Sequence, residues 1–67
     1  MSRAKKMINK ILDKSAGDNQ TQRNLLLSKI KLSGVNIKTD DNKNITYVND
    51  NQIKEIEEFA KTQNVEL

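Results

Sequence analysis

The first third of the chain has the hydrophobic spacing of an amphipathic helix. Apolar side chains recur three and four residues apart, at Ala4, Met7, Ile8, Ile11 and Leu12. This spacing is typical of one face of an α-helix and predicts a helix over residues 2–15. Gly17 can take the left-handed conformation that ends a helix, and Asp18 is the predicted N-cap of the next one.

A second helix is predicted over residues 19–33. Its apolar positions are Leu25, Leu26, Leu27, Ile30 and Leu32. Gly34 then provides a second C-terminal stop. Val35 is placed for the apolar contact that accompanies a glycine at this position.

The three consecutive leucines of this helix cover about 200° of its circumference, so one core-facing side cannot easily bury all of them. If Leu26, Leu27 and Ile30 turn inward, Leu25 and Leu32 lie seven residues apart on another side. That pair is a candidate dimer or partner contact, because exposed apolar clusters often mark interfaces. The alternative is a central helix covered on both sides by other elements.

The period of the pattern changes after the second helix. Apolar or β-branched residues alternate with polar ones around the polar segment 40–44, at Val35, Ile37 and Thr39 before it and at Ile45 and Tyr47 after it. This predicts a β-hairpin with strands 35–39 and 45–49. We expect Thr39 to pair with Ile45. The same register pairs Ile37 with Tyr47. It also pairs Val35 with Asn49, so one face of the hairpin is apolar.

A third helix is predicted over residues 51–63, with Asn49 or Asp50 as its N-cap. One side of it carries Ile53, Ile56, Phe59 and Ala60. The chain therefore predicts an α+β fold, a small single domain over residues 1–67 in the order α-α-β-hairpin-α.

Composition narrows the possible chemistry. The 67 residues include no Cys and no His, and 34% are hydrophobic. A disulfide framework, a thiolate nucleophile, the usual zinc sites and a Ser-His-Asp triad are therefore excluded. No nucleophile–base pair can be assembled, and a core this small leaves little room for a deep pocket. We expect a protein that is not an enzyme and has no cofactor.

The longest apolar run is three residues, far below the roughly 20 that a membrane span needs. The positive start, residues 1–6, is followed by the apolar stretch 8–12, which Asn9 and Lys10 interrupt. This is not the apolar core of a signal peptide. We expect a cytoplasmic protein without a membrane partner. Its Asn-rich, Lys-rich and cysteine-free composition is similar to that of proteins from AT-rich bacteria and their phages.

Charge is divided unevenly along the chain. Residues 1–31 hold eight Lys and Arg against two Asp, a net charge of +6, and residues 32–67 hold four Lys against seven acids, a net charge of −3. On the first helix, four cations fall within about 80° of one another: Arg3, Lys6, Lys10 and Lys14. A polyanion would relieve their mutual repulsion and release counterions. The alternative is a set of solvated side chains flanking a core-facing helix.

The start of the second helix is polar, with Asn19, Gln20, Gln22 and Arg23. Such side chains pair with base edges when a recognition helix enters a groove. Two helices with a short turn and a following hairpin, over residues 4–48, are similar to a helix-turn-helix with a wing. The resemblance implies that Lys38 and Lys43 on the wing touch phosphates. The alternative is an ordinary capped helix start.

Two acidic patterns have spacings that bear on metal binding or catalysis. Asp40, Asn42 and Asn44 match the opening of a calcium loop, but Ile45 replaces its glycine and Asn51 its bidentate glutamate. A polar turn explains the spacing better, and no metal site is predicted. On the third helix, Glu55 and Glu57 point to different faces, so Glu55, Glu57 and Glu58 are expected to be solvated side chains or an acidic binding face.

These patterns favour a non-enzymatic binding and regulatory protein whose basic N-terminal half docks on an acidic partner, most plausibly nucleic acid. The alternative is a protein-binding inhibitor or accessory factor, such as a phage-type modulator of a host enzyme or an assembly component. It would use Leu25 and Leu32 or the acidic third helix. The same two leucines could also form the contact of a homodimer.

Overall fold

The computed structural model describes residues 2–67 and confirms the α+β class and the helix-helix-hairpin-helix order. The elements are α1 (Arg3–Ala16), α2 (Gln20–Leu32), β1 (Ile37–Thr39), β2 (Ile45–Val48), a 3₁₀ turn (Asp50–Gln52) and α3 (Ile53–Thr62). The predicted bounds of α1 and α2 differ from these by one residue. The predicted third helix starts two residues too early, because residues 51 and 52 belong to the 3₁₀ turn that precedes α3.

The central element is α1, which contacts α2, α3, β2 and the 3₁₀ turn. Its Ala4, Ile8 and Ile11 are completely buried. The interpretation of α2 as a central helix covered on both sides is wrong, because Leu25 and Leu32 are exposed. Only one side of α2 reaches the core, whereas α1 contacts four other elements.

The N-cap of α2 is Asn19, and the prediction of Asp18 is wrong. The Asn19 side chain accepts a hydrogen bond from Gln22 N at 3.1 Å. Gly17 ends α1 with a φ of 56°, and the turn continues through Asp18. Because this turn shifts the first helical residue to Gln20, the residue that can reach the free N–H groups is Asn19.

The hairpin is antiparallel, but its predicted register holds only at the turn. Thr39 lies opposite Ile45 as expected. A β-bulge follows, and Thr46 is the extra residue. Lys38 therefore lies opposite Tyr47.

Beyond the bulge, Ile37 lies opposite Val48, so the predicted pairing of Ile37 with Tyr47 is wrong. Val48 is buried and Tyr47 faces solvent. The predicted pairing of Val35 with Asn49 is also wrong, because both lie outside the paired strands and Asn49 N instead donates to Asn36 O at 3.1 Å. After Thr46, the inserted residue reverses which side chains of β2 face the core, while Ile45 before it still packs there.

Two helices end with the same motif. At the end of α2, Gly34 has a φ of 105°, and Val35 N donates to Ile30 O at 3.4 Å. At the end of α3, Asn64 has a φ of 56°, and Val65 N donates to Ala60 O at 3.0 Å. Both have the six-to-one hydrogen bond of a Schellman motif, which confirms the predicted stop at Gly34. Val35, predicted to make an apolar contact here, is buried in the core.

The 3₁₀ turn joins parts of the chain that are distant in sequence. Asn49 caps this turn by accepting from Asn51 N at 2.9 Å, whereas Asp50 accepts from Ser2 Oγ, on the N-cap of α1, and from Ala4 N in its first turn. The sequence had predicted one of these two residues as the N-cap of α3, and this prediction is wrong, because neither caps α3 directly. Gln52 accepts from Asn36 N at 2.6 Å and donates to Gly34 O at 2.7 Å, which fixes the α2–β1 connection to the turn.

Candidate functional site

The four cations predicted to bind a polyanion share the solvent-facing side of α1. We call this set the basic stripe: Arg3, Lys6, Lys10 and Lys14, all exposed. They lie there because the opposite side of α1 supplies Ile8 and Ile11 to the core. The single ion pair within residues 2–67 joins Asp13 to Arg23. No carboxylate of this region therefore lies within salt-bridge distance of the stripe.

One end of the basic stripe touches the segment that follows α3. Lys14 Nζ donates to the carbonyl oxygen of Glu66 at 3.4 Å. This acceptor is a neutral backbone group, so the contact orients the Lys14 side chain without cancelling its charge. The stripe keeps a formal charge of +4.

Arg23 holds the α1–α2 connection together, a role that the sequence did not indicate. Its Nη1 atom donates to Asp13 Oδ1 at 2.8 Å and to the carbonyl oxygen of Gly17 at 2.7 Å. The Arg23 side chain is only 23% exposed. Arg23 lies ten residues after Asp13, on the other side of the α1–α2 turn. The periodicity of the sequence does not give the geometry of that turn, so it could not predict this pair.

The other polar residues at the start of α2 are partly engaged within the chain. Asn19 caps the helix, and Gln20 Nε2 donates to Asn24 Oδ1 at 2.8 Å. Gln22 is exposed on the helix surface. A base edge would have to compete with the hydrogen bonds of Asn19, Gln20 and Arg23, so these groups are less available for base contacts than the sequence suggests.

The structure brings three of the predicted nucleic-acid residues to one cleft. Gln20, Arg23 and Lys43 line a polar cavity of about 170 Å³ between α1, α2 and the hairpin turn, together with Asn9 and Asn44. No acidic side chain lines this cavity. Arg23 is nevertheless paired with a carboxylate outside it, so the largest uncompensated charge remains on the basic stripe.

The two lysines assigned to a wing are in different surroundings. Lys43 belongs to the cleft, whereas Lys38 Nζ lies 5.9 Å from the centre of the Tyr47 ring. This distance is within cation–π range. It results from the β-bulge, which places Tyr47 opposite Lys38 on the solvent side of the hairpin.

The carboxylate that opens the calcium-like pattern stabilises the hairpin turn. Asp40 Oδ1 accepts from Asn42 N and Asn44 N, both at 2.9 Å. The hydrogen bond from the Asn44 backbone is the main cause that lowers the pKa of Asp40 below its ordinary value of 3.8. Within residues 2–67 no three acidic side chains come together to hold a metal ion.

The two leucines named as a candidate interface are both exposed. Leu25 is 51% exposed and Leu32 is 87% exposed, while Leu26, Leu27 and Ile30 are buried. Near Leu32, a shallow cavity of about 280 Å³ lies between the end of α2 and α3. Its lining residues are Ser33, Glu55, Glu58, Phe59 and Thr62. The sequence pattern did not indicate this cavity.

No protein-family model, curated protein or solved structure matches the chain. The similarity to a winged helix-turn-helix therefore stays a prediction from element order. Across residues 2–67, every helix is too short or too polar to cross a membrane.

Proposed function

We propose that this protein is a non-enzymatic binding module that docks on nucleic acid through the basic stripe of α1. The observation that supports this best is the exposure of four cations on one side of a helix, with no carboxylate of residues 2–67 in salt-bridge range. Phosphates spaced along a nucleic-acid backbone would neutralise these charges and release counterions on binding.

The expected contact is with phosphates rather than bases. Asn19, Gln20 and Arg23 already hydrogen-bond within the chain. The basic stripe itself contains only Lys and Arg on a helix without an exposed aromatic side chain, so stacking on unpaired bases is not available to it. Binding of this kind depends weakly on sequence and strongly on salt.

The test is a titration of the protein against duplex and single-stranded DNA and RNA at 50 and 200 mM salt. Four phosphate contacts give a logarithmic salt slope of about −3 to −4, which is about a 100-fold loss of affinity over this range. Lys10→Ala removes one contact and reduces the slope by about 1. An undetectable affinity at 50 mM salt, or an affinity indifferent to Lys6→Glu and Lys10→Glu, contradicts the proposal.

Matched controls come from α3, where Lys54 and Lys61 are also exposed. Lys54→Ala and Lys61→Ala change the net charge of the protein as Lys10→Ala does. If they lower the affinity equally, the effect reflects net charge and the basic stripe is not the site. Two duplexes of unrelated sequence should bind within about threefold of each other, because the contacts do not read bases.

A second candidate function rests on the exposed leucines. In it, the protein is an inhibitor or accessory factor that binds another protein through Leu25 and Leu32 or through the acidic α3. Through the leucines, such an interaction would persist at high salt and would be weakened by Leu25→Glu. The salt titration separates the two, because apolar contacts are not weakened by screening as phosphate contacts are.

A further inference from the structure

The end of α2 carries the most exposed large hydrophobic side chain described in the structure. Leu32, the last residue of α2, is 87% exposed. Lys29 lies one helical turn earlier on the same side and is also exposed. Leu32 therefore projects as an apolar side chain beside a cation.

The cavity next to this helix end has the complementary chemistry. Phe59, only 9% exposed, is its aromatic wall, and Glu55 and Glu58 are exposed beside it. The two glutamates lie three residues apart on α3 and repel each other. No cation described in the structure lies within salt-bridge distance of either carboxylate.

We propose that the protein forms a two-fold dimer in which Leu32 of each copy enters the Phe59 cavity of the other copy. Lys29 of one copy then lies near Glu55 and Glu58 of its partner. Ser33, the neighbour of Leu32, lines the same cavity, so each copy presents the projecting side chain and its receptor on one continuous surface. A two-fold interface requires such a self-complementary surface.

Charge complementarity favours a second copy over other occupants of the cavity. An acidic partner would suit Lys29 but would be repelled by the glutamates, and a basic partner would suit the glutamates but not Lys29. A second copy satisfies both with one geometry. The accessible surface is 4566 Å², and a standard interface takes about 800 Å² from each partner. A contact centred on one leucine is smaller, so we expect a weak dimer that depends on concentration.

The experiment is analytical ultracentrifugation of the full chain without nucleic acid, from about 1 μM to 1 mM protein. Wild type should show a monomer–dimer equilibrium. Leu32→Glu should raise the dimer dissociation constant at least tenfold and should fold normally, because the side chain is exposed. Leu67→Glu changes another exposed leucine and should leave the dimer intact.

A charge exchange tests the pairing of Lys29 with the glutamates. Lys29→Glu and Glu58→Lys should each weaken the dimer, and the double variant should recover most of the lost affinity. Lys6→Ala should have no effect, which separates this proposal from the role of the basic stripe. A wild type that stays monomeric at 1 mM, or an unchanged dimer in Leu32→Glu, overturns the proposal.

Two further results would also contradict it. Growth beyond a dimer would show an open head-to-tail contact in place of two-fold closure. The second result is that Leu25→Glu weakens the dimer as much as Leu32→Glu does and that the charge exchange restores no affinity. The interface would then be the solvent-facing side of α2, and the Phe59 cavity would lie outside it.

Discussion

Ser2 and Asp50 are joined by a hydrogen bond although they are 48 positions apart in the sequence. Ser2 Oγ donates to Asp50 Oδ1 at 2.7 Å, and Asp50 Oδ1 also accepts from Ala4 N at 3.0 Å. Ser2 Oγ in turn accepts from Lys5 N at 3.1 Å. A carboxylate at the positive end of the helix dipole therefore completes the cap of α1 and ties it to the 3₁₀ turn.

This arrangement predicts acid sensitivity at the start of α1. The hydrogen bond from Ser2 is the main cause that lowers the pKa of Asp50 below 3.8 in the folded protein. A group with a lowered folded pKa stabilises the fold above its unfolded pKa and loses that contribution as pH falls through the folded value. Asp50→Asn should therefore be less stable than wild type at pH 6, and the difference should shrink below about pH 3.8.

The measurement is thermal unfolding of both proteins from pH 2 to pH 6. Asp41→Asn is the control, because Asp41 lies exposed in the hairpin turn and supplies no cap to α1. A constant difference between wild type and Asp50→Asn across this range would show that the carboxylate charge is not what stabilises the cap.

The second prediction concerns the bonds of Arg23. Arg23→Ala removes both the ion pair with Asp13 and the hydrogen bond to Gly17 O, whereas Asp13→Ala removes only the ion pair. Because Asp13 is largely exposed, we expect a coupling of about 0.2–1 kcal/mol for the pair. Arg23→Ala should cost about 1 kcal/mol more than Asp13→Ala, from the lost bond to Gly17.

A double-mutant cycle by urea unfolding at low and high salt measures the Asp13–Arg23 coupling directly. The coupling should fall at 1 M salt, while the extra cost of Arg23→Ala should remain. Equal costs for the two single variants would mean that the bond to Gly17 contributes nothing.

The helices were predictable because their signals are local. The spacing of Ile8 and Ile11 gives the buried side of α1, and Gly34 marks the end of α2 within two residues. The fixed angle per residue of a helix also placed Leu25 and Leu32 on a different side of α2 from the buried Leu26. Whether another element covers that side depends on packing, so the sequence left their exposure open. The basic stripe followed from that angle alone.

The register of the hairpin and the partners of the polar residues were not predictable in this way. An inserted residue such as Thr46 leaves the alternating pattern nearly intact while reversing the face of everything after it. Asp50 looked like a cap for the helix that follows it, because sequence spacing shows only nearby N–H groups. Its real donors come from α1, and packing brings them there.

The third prediction tests the shifted register. Val48 is 4% exposed and packs in the core, so Val48→Ala should cost about 2 kcal/mol from the lost methyl groups and the cavity left behind. Tyr47 is 44% exposed and contacts Lys38, so Tyr47→Thr should cost less than about 1 kcal/mol. The free energies of unfolding of both variants, measured in urea, distinguish the bulged register from the unbulged one. The unbulged register, with Tyr47 paired to Ile37, requires the opposite ranking.

The fourth prediction concerns the residue that ends α3. Asn64 is in the left-handed region with a φ of 56°, where glycine is favoured and other residues are strained. Asn64→Ala should destabilise the protein by about 1 kcal/mol, and Asn64→Gly should be nearly neutral.

Gln63→Ala is the matched control, because Gln63 has a φ of −100° and any residue can adopt this conformation. The measurement is urea unfolding with hydrogen exchange at Val65 N, whose bond to Ala60 O depends on the left-handed residue. In Asn64→Ala this amide should exchange faster, because strain at residue 64 weakens the hydrogen bond from Val65 N to Ala60 O. Equal stability of the Ala and Gly variants would show that the left-handed conformation does not limit this helix end.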